Sequence, residues 1–128
     1  MRKPATARQD DVLSVLKACD RPMTAYQILE RLQASEPDIA PPTVYRTLSS
    51  LTDQGRAHRL ESIRAFVPCT CTHKNSVPVL AICGDCGAVE EHDGGELLPM
   101  LDRLTDPSQF RTERHIVEIH GRCSSCAA

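Results

Sequence analysis

Two Cys-x-x-Cys pairs, Cys83 with Cys86 and Cys123 with Cys126, have the clearest chemistry of any side chains in this sequence. Two intervening residues let a tight turn direct both sulfurs at one ion, and four thiolates paired in this way are typical of a tetrahedral structural zinc site. Residues 87 to 122 separate the pairs, so a folded segment must return the second pair to the first. The spacing therefore predicts a small domain held together by zinc.

Other uses of paired cysteines agree less well with the sequence. Disulfides are rare in the cytosol, and residues Met1 to Pro4 are not followed by the apolar run of a secretory signal peptide. A redox Cys-x-x-Cys normally occurs once, near a βαβ pattern, which is absent here. These features favour a cytoplasmic zinc protein.

The composition limits the hydrophobic core. The chain has 128 residues, of which 41% are hydrophobic and 3% aromatic, with no Trp. This suffices for one ordinary core or two small ones, and small cores built from Leu, Ile, Val and Ala often require a metal or a partner subunit. No stretch approaches the ~20 apolar residues of a transmembrane helix. We therefore expect an oligomer that does not span a membrane.

The net charge of −2 is unevenly distributed. Residues 1 to 68 hold ten Lys or Arg against eight Asp or Glu, whereas residues 69 to 128 hold five against nine, so the two parts carry +2 and −4. This balance argues against a general nucleic-acid coat protein. If DNA is bound, we expect the first half to bind it.

The first half has the element order of a winged helix-turn-helix. Apolar residues at helical spacing predict a helix from Asp10 to Ala18, a second helix capped by Thr24, and a third from Pro41 to Gly55. Short extended runs at 57–60 and 65–67 predict a hairpin. In a winged helix the third helix enters the DNA major groove and the hairpin is the wing.

The second half predicts a different unit. We assign residues 1–68 to the winged-helix domain, 69–78 to a polar hinge and 79–128 to a domain with the four cysteines. Within the last, alternating and helical patterns predict two strands, a helix and a final strand that delivers the second cysteine pair; these are 79–83, 88–91, 96–104 and 111–120. The fold class is α+β, a winged helix followed by an α/β domain.

Four stretches, which together cover nearly the whole chain, resemble the Fur family of metal-sensing transcriptional regulators, and in particular its zinc-sensing members. The combination of a Thr-Val-Tyr-Arg element with two spaced Cys-x-x-Cys pairs is more specific than any one motif. The matching stretches are Thr24-Ala25-Tyr26-Gln27-Ile28-Leu29, Pro42-Thr43-Val44-Tyr45-Arg46-Thr47-Leu48, Ile82-Cys83-Gly84-Asp85-Cys86-Gly87 and His120-Gly121-Arg122-Cys123-Ser124-Ser125-Cys126.

The resemblance implies a homodimer that binds double-stranded operator DNA through its winged helix and dimerises through an α/β domain holding the four-cysteine zinc. It also implies a second, regulatory metal that fixes the geometry between the two domains. A ligand that binds one geometry more tightly shifts the equilibrium toward it. We therefore expect about two zinc ions per chain, one structural and one regulatory.

The regulatory ligands implied by the resemblance come from the wing, the hinge and the strand after the first cysteine turn. A hairpin closing near Ser62 would bring the wing ligands to the same end, because one lies on its first strand and the other just past its second. The four implied ligands are His58, Cys69, His73 and Glu91.

Several of these ligands have alternatives. The family's usual histidine cluster near His73 is missing, so Cys71 could replace it, and His92 could replace Glu91, since tetrahedral zinc accepts any of these groups. Iron-sensing relatives resemble this chain less, because they use a carboxylate near Cys69, and a thiolate suits zinc better than ferrous iron.

The residues expected to read DNA are Tyr26, Tyr45 and Arg46. A guanidinium near the start of a recognition helix can bind guanine O6 and N7 as a bidentate pair. The resemblance assigns base contact to Tyr26 as well, and the alternative for each tyrosine is amphipathic packing with its hydroxyl toward solvent or phosphate. Basic residues at the edges of the domain are candidates for phosphate neutralisation, with surface solvation as the alternative: Lys3, Arg8, Arg56, Arg59 and Arg64.

Two further side chains have structural interpretations. His115 alternates with Val117 and Ile119, so we expect a hydrogen-bonded interior histidine and not a third metal ligand. Cys19, at the end of the first helix, is expected to be a small buried hydrophobe.

The sequence thus predicts a zinc-responsive repressor of zinc-uptake genes that has no catalytic activity and no small-molecule substrate. Within the same family the alternative is a sensor of iron, manganese or peroxide. The alternative from another functional class is a zinc enzyme or metal chaperone with an open coordination position at the hinge site. Four good ligands at that site and the lack of an obvious general base argue against it. A zinc-held protein-interaction module is a third.

Overall fold

The chain forms two compact units, Met1–Cys69 and Thr70–Ala128. The computed structural model describes residues 3–69 and 78–127. None of the helices in those two ranges is long and apolar enough to cross a membrane.

Three helices and a small sheet build the first unit. The helices are α1 (Ala5–Ala18), α2 (Ala25–Gln33) and α3 (Pro41–Asp53). Their apolar faces meet in one core, in which the most deeply buried large side chains are Leu16, Ile28, Leu48 and Leu51. Burial of each such side chain contributes about 1.5–3 kcal/mol of favourable free energy to folding.

Local signals set the ends of the helices. Thr24 Oγ1 accepts from the N–H of Gln27, and Gln27 Oε1 accepts from the N–H of Thr24, a capping box that starts α2. At the end of α3, Gly55 has φ +73°, its N–H donates to Thr52, and the N–H of Arg56 donates to Leu51. This pairing is a Schellman motif, which needs a residue in the left-handed region and so favours glycine.

The sheet of the first unit has the order β1-β3-β2, with β1 (Met23–Thr24), β2 (Ala57–Leu60) and β3 (Ala65–Pro68). The hairpin β2–β3 is antiparallel and closes through residues 61–64. The predicted wing is therefore present, and β1 attaches it to the start of α2.

The second unit is a three-stranded sheet with a helical crossover. Its elements are β4 (Pro78–Cys83), β5 (Val89–Asp93), α4 (Leu97–Thr105), a short 3₁₀ turn (Asp106–Ser108), β6 (Val117–Gly121) and α5 (Ser124–Ala127). The central strand β4 pairs antiparallel with β5 and parallel with β6. A parallel pair requires a crossover connection, and the segment containing α4 provides it.

Two predicted boundaries were wrong. The last strand starts at Val117, not at Arg111. Val117 pairs with Val79, near the start of the short strand β4, so residues 111–116 have no partner strand in the described part of the sheet. Helix α1 starts at Ala5, not at Asp10. Residues Ala5 to Gln9 include no large apolar side chain, so they carry no apolar periodicity from which the start could be predicted.

Candidate metal centres and nucleic-acid surface

The parallel pairing of β4 with β6 brings the two cysteine pairs together. Cys83 is the last residue of β4 and pairs with Gly121, the last residue of β6, so the chain segments that follow both strands start at the same edge. The four Sγ atoms all lie within 4.8 Å of one another, and Cys86 Sγ is 3.7 Å from Cys123 Sγ. Four sulfurs bound tetrahedrally to zinc at ~2.3 Å lie about 3.8 Å apart. The four thiols therefore have the spacing of a closed zinc site.

Backbone contacts hold the first cysteine turn. The N–H of Cys86 donates to Cys83 Sγ at 3.4 Å, and the N–H of Gly84 donates to the carbonyl of Gly121 at 2.8 Å. Gly87, with φ +77°, takes the left-handed conformation that ends the turn. The turn is thus tied to the end of β6, from which the second pair follows.

The pKa values of two thiols move in opposite directions. Backbone N–H groups of Cys123 and Cys86 lower the pKa of Cys83 to about 6. The neighbouring sulfurs, that of Cys123 foremost, raise the pKa of Cys126 to about 12. Four thiolates can share so small a space only when a cation balances their charge, and sulfur donors suit Zn²⁺. The donor set fits zinc.

The wing brings His58 and Cys69 together. Ala57 pairs with Pro68, and the N–H of Cys69 donates to the carbonyl of Arg56 at 3.0 Å, so Cys69 lies beside the start of the strand that carries His58. A ligand nitrogen of His58 and the sulfur of Cys69 lie within 4.8 Å of each other. His58 Nε2 is buried from solvent and Cys69 is half-buried. An imidazole and a thiolate at this distance suit zinc.

The other regulatory candidates lie outside the wing. Glu91 is a half-buried residue of β5 in the second unit. His92, its alternative, is exposed, and His92 Nε2 lies 3.0 Å from Glu90 Oε2. Successive side chains of a strand point to opposite faces, so Glu91 and His92 lie on opposite faces of β5. His73 and its alternative Cys71 lie outside the described residues.

The three candidate DNA-reading residues are exposed. Tyr26 on α2 and Tyr45 on α3 are 67% and 59% exposed, which is unusual for tyrosine and disagrees with a packing role. Arg46 is exposed beside Tyr45 in the first two turns of α3, and the neighbouring Val44 and Leu48 are buried. The helix therefore presents both polar side chains to solvent while its other face is anchored in the core.

Most of the predicted phosphate-contacting cations are already paired with carboxylates. Arg59 Nη1 lies 3.4 Å from Glu61 Oε2 within the hairpin. The other pairs connect α1 with its surroundings, and they involve Lys3, Arg8 and Arg56. Sequence reasoning missed the pairs of Lys3 and Arg8 with Glu36 and of Arg56 with Asp10, because partners far apart in sequence leave no spacing signal.

The two side chains with structural interpretations, His115 and Cys19, are both half-buried. His115 Nε2 lies 3.0 Å from Asp102 Oδ1 of α4, with the histidine side chain 19% exposed, although His115 precedes the strand on which it was placed. Cys19 packs against the core of the first unit, but it is half-buried and not buried as expected.

Comparison with known proteins agrees with this architecture. The Ferric uptake regulator family matches residues 3–120. The zinc uptake regulation protein of Escherichia coli (strain K12) is 33% identical over 125 residues, covering 94% of this chain and 71% of the relative.

Two solved structures are also similar. A zinc uptake regulator complexed with zinc and DNA superposes with a TM-score of 0.88 at 31% identity, covering 98% of this chain and 82% of the other. Holo XcZur superposes with a TM-score of 0.82 at 30% identity, with 98% and 85% covered. These matches confirm the resemblance and the fold class, and the chain belongs to the ferric uptake regulator family.

Proposed function

We propose that this protein is a zinc-responsive transcriptional repressor that controls zinc-uptake genes as a homodimer on operator DNA. Its similarity to zinc uptake regulators over almost the whole chain carries this proposal. The chemistry of the donor sets agrees with it, because both clusters contain thiolates, which favour zinc over ferrous iron or manganese. A repressor acts where the chromosome is, so we expect a cytoplasmic protein.

The structural zinc is assigned to Cys83, Cys86, Cys123 and Cys126. Four thiolates leave no coordination position open for substrate or water, which is the arrangement of a structural site. These ligands close the second unit by joining the ends of β4 and β6. We expect this zinc to stay bound whenever the protein is folded.

The regulatory zinc is assigned to His58, Cys69, His73 and Glu91, which brings the expected content to about two ions per chain. His58 and Cys69 support this assignment by their proximity at the base of the wing. Glu91 supplies a ligand from the second unit in this proposal. Because the ligands come from both units, occupation of the site favours one geometry between them, and this differential affinity couples zinc to DNA.

DNA is read by Arg46, Tyr45 and Tyr26. Arg46 and Tyr45 lie on the exposed face of α3, the position of a recognition helix, and Tyr26 is exposed near the start of α2. Residues 1–68 hold ten Lys or Arg against eight Asp or Glu, a small positive excess, so we expect affinity to come from two chains on a palindromic site.

Exposed apolar residues of the second unit support dimerisation. Met100 and Leu104 of α4 are 56% and 76% exposed, and Phe110, Ile116 and Ile119 are at least half exposed. Large apolar side chains grouped in one unit are typical of a surface covered by a partner.

The test is a metal-selectivity titration. A duplex is enriched from a random-sequence pool with the zinc-loaded protein, and its affinity is then measured at graded free Zn²⁺, Fe²⁺ and Mn²⁺. We expect affinity to rise with Zn²⁺. Activation by Fe²⁺ or Mn²⁺ and not by Zn²⁺ would instead identify an iron or manganese sensor.

A further inference from the structure

The first turns of α1 and the residues just before it carry charged side chains that reach the two connections flanking the recognition helix α3. One connection, between α2 and α3, contains Glu36; the other, between α3 and β2, contains Arg56. Lys3 and Arg8 contact Glu36, and Asp10 contacts Arg56. We call the group of Lys3, Arg8, Asp11 and Glu36 the N-terminal clamp, since it holds the start of α3.

The N-terminal clamp is a compact, neutral cluster of two cations and two carboxylates. Lys3 Nζ lies 2.9 Å from Glu36 Oε1 and 2.6 Å from Asp11 Oδ2, and Arg8 Nη2 lies 3.1 Å from Glu36 Oε2. Both oxygens of Glu36 are therefore engaged, each by a different cation. The Arg8 side chain is only 15% exposed, which is low for an arginine at a surface.

The backbone transmits the position of Glu36 to α3. The N–H of Glu36 donates to Leu32 at 2.8 Å, and its carbonyl accepts from the N–H of Ile39 at 3.1 Å. Ile39 is buried in the core, and α3 starts two residues later at Pro41. Fixing the Glu36 side chain against α1 therefore fixes the chain segment from which the recognition helix starts.

The opposite end of α3 has a weaker contact of the same kind. Arg56 Nη1 lies 3.3 Å from Gln9 Oε1, and Arg56 Nη2 lies 3.5 Å from Asp10 Oδ1, with both charged side chains well exposed. Exposed pairs of this type contribute little to stability. Lys3 and Asp11 are also exposed, at 42% and 37%, so the N-terminal clamp is the stronger contact through Arg8 and Glu36, whose side chains are 15% and 31% exposed.

We propose that Glu36 is a positioning residue for DNA recognition, which holds the start of α3 through Arg8 and Lys3, and that these two cations serve the clamp instead of binding phosphate. The inference deepens the proposed function and rests on it. A preorganised recognition helix binds its site more tightly because binding then requires less ordering. Tyr45 and Arg46, one turn beyond the start of α3, are the residues whose placement the clamp controls.

The test is Glu36→Gln, which keeps the shape of the side chain and removes its charge. Affinity is measured for the duplex enriched by the zinc-loaded wild type and for a scrambled duplex of equal length, each at several salt concentrations. We expect affinity for the enriched duplex to fall about two- to fivefold, and affinity for the scrambled duplex and the salt slope to stay unchanged. Asp20→Asn, which removes an exposed charge near the other end of α1, is the matched control. It should change neither the affinity for the two duplexes nor the salt slope.

The alternatives give different results. If Lys3 and Arg8 bind phosphate, Glu36→Gln frees them, so affinity for both duplexes rises and the salt slope becomes steeper; that result overturns the proposal. A lower Tm with an unchanged ratio of the two affinities would show a merely structural role and also overturns it. Exchange of the charges, Glu36→Arg with Arg8→Glu, should restore part of the lost affinity. If the zinc-loaded wild type enriches no duplex, the proposed function itself fails, and this inference with it.

Discussion

Replacing Arg46 with alanine tests how the recognition helix reads bases. Arg46 is exposed in the first two turns of α3, between the buried residues Val44 and Leu48, so its truncation leaves the core intact. We therefore expect the free energy of unfolding to change by less than about 0.5 kcal/mol. A bidentate contact from arginine to guanine contributes ~1–3 kcal/mol of discrimination, which corresponds to about a 5- to 150-fold loss of affinity.

The assay is fluorescence anisotropy on the enriched duplex and on variants substituted at each guanine, at fixed free zinc and several salt concentrations. We expect Arg46→Ala to weaken binding to the enriched duplex. The variant should bind the enriched duplex and the duplex substituted at one particular guanine with equal affinity. A phosphate contact would instead weaken all duplexes alike and reduce the salt slope by about 1. Arg21→Ala, a loss of an exposed cation in the turn after α1, is the control. Unchanged affinity of Arg46→Ala for every duplex would refute the assignment.

Three other changes test separate parts of the structure. Cys126→Ser leaves three thiolates, so we expect loss of the tightly bound zinc in metal analysis and loss of cooperative unfolding of the second unit; retention of that zinc would contradict the structural assignment. Gly55→Ala places a Cβ at φ +73° with no atom within 4 Å, so backbone strain alone should cost about 1 kcal/mol, seen as a Tm lower by about 4–8 °C for the first unit. Hydrogen bonding from Lys3 lowers the pKa of Glu36 in the folded protein below its ordinary value of 4.5. The ionised Glu36 therefore stabilises the folded state above pH 4.5, and this stabilisation is lost as the pH falls through the folded pKa. The Tm difference between wild type and Glu36→Gln should therefore be constant from pH 5 to 8 and close below pH 4.5.

The order of the longer elements could be predicted from sequence because they have local signals, whereas the two-residue strand β1 and the short helix α5 were not predicted. The Thr24 capping box, the Pro41 start and the Gly55 end of the third helix are encoded by residues within a few positions. The Cys-x-x-Cys spacing predicted a four-sulfur cluster, and the strands bring the sulfurs together.

Features that depend on partners distant in sequence were not predictable. The start of β6 is set by where β4 starts, and the ion pairs of Glu36 with Arg8 and Lys3 join different elements. Side chains alternate between the two faces of a strand, so Glu91 and His92 can be assigned to opposite faces only when the bounds and the register of β5 are known.

Zinc binding and DNA binding measured together on Cys69→Ser test the central claim most directly. The claim is that a site containing Cys69 and His58, distinct from the four-cysteine cluster, couples zinc to DNA. Wild type should bind about two zinc ions per chain and gain DNA affinity as free zinc rises. Cys69→Ser should keep the structural zinc and the Tm of the second unit while its DNA affinity no longer responds to zinc. A variant whose DNA affinity still rises with zinc as in wild type would contradict the claim.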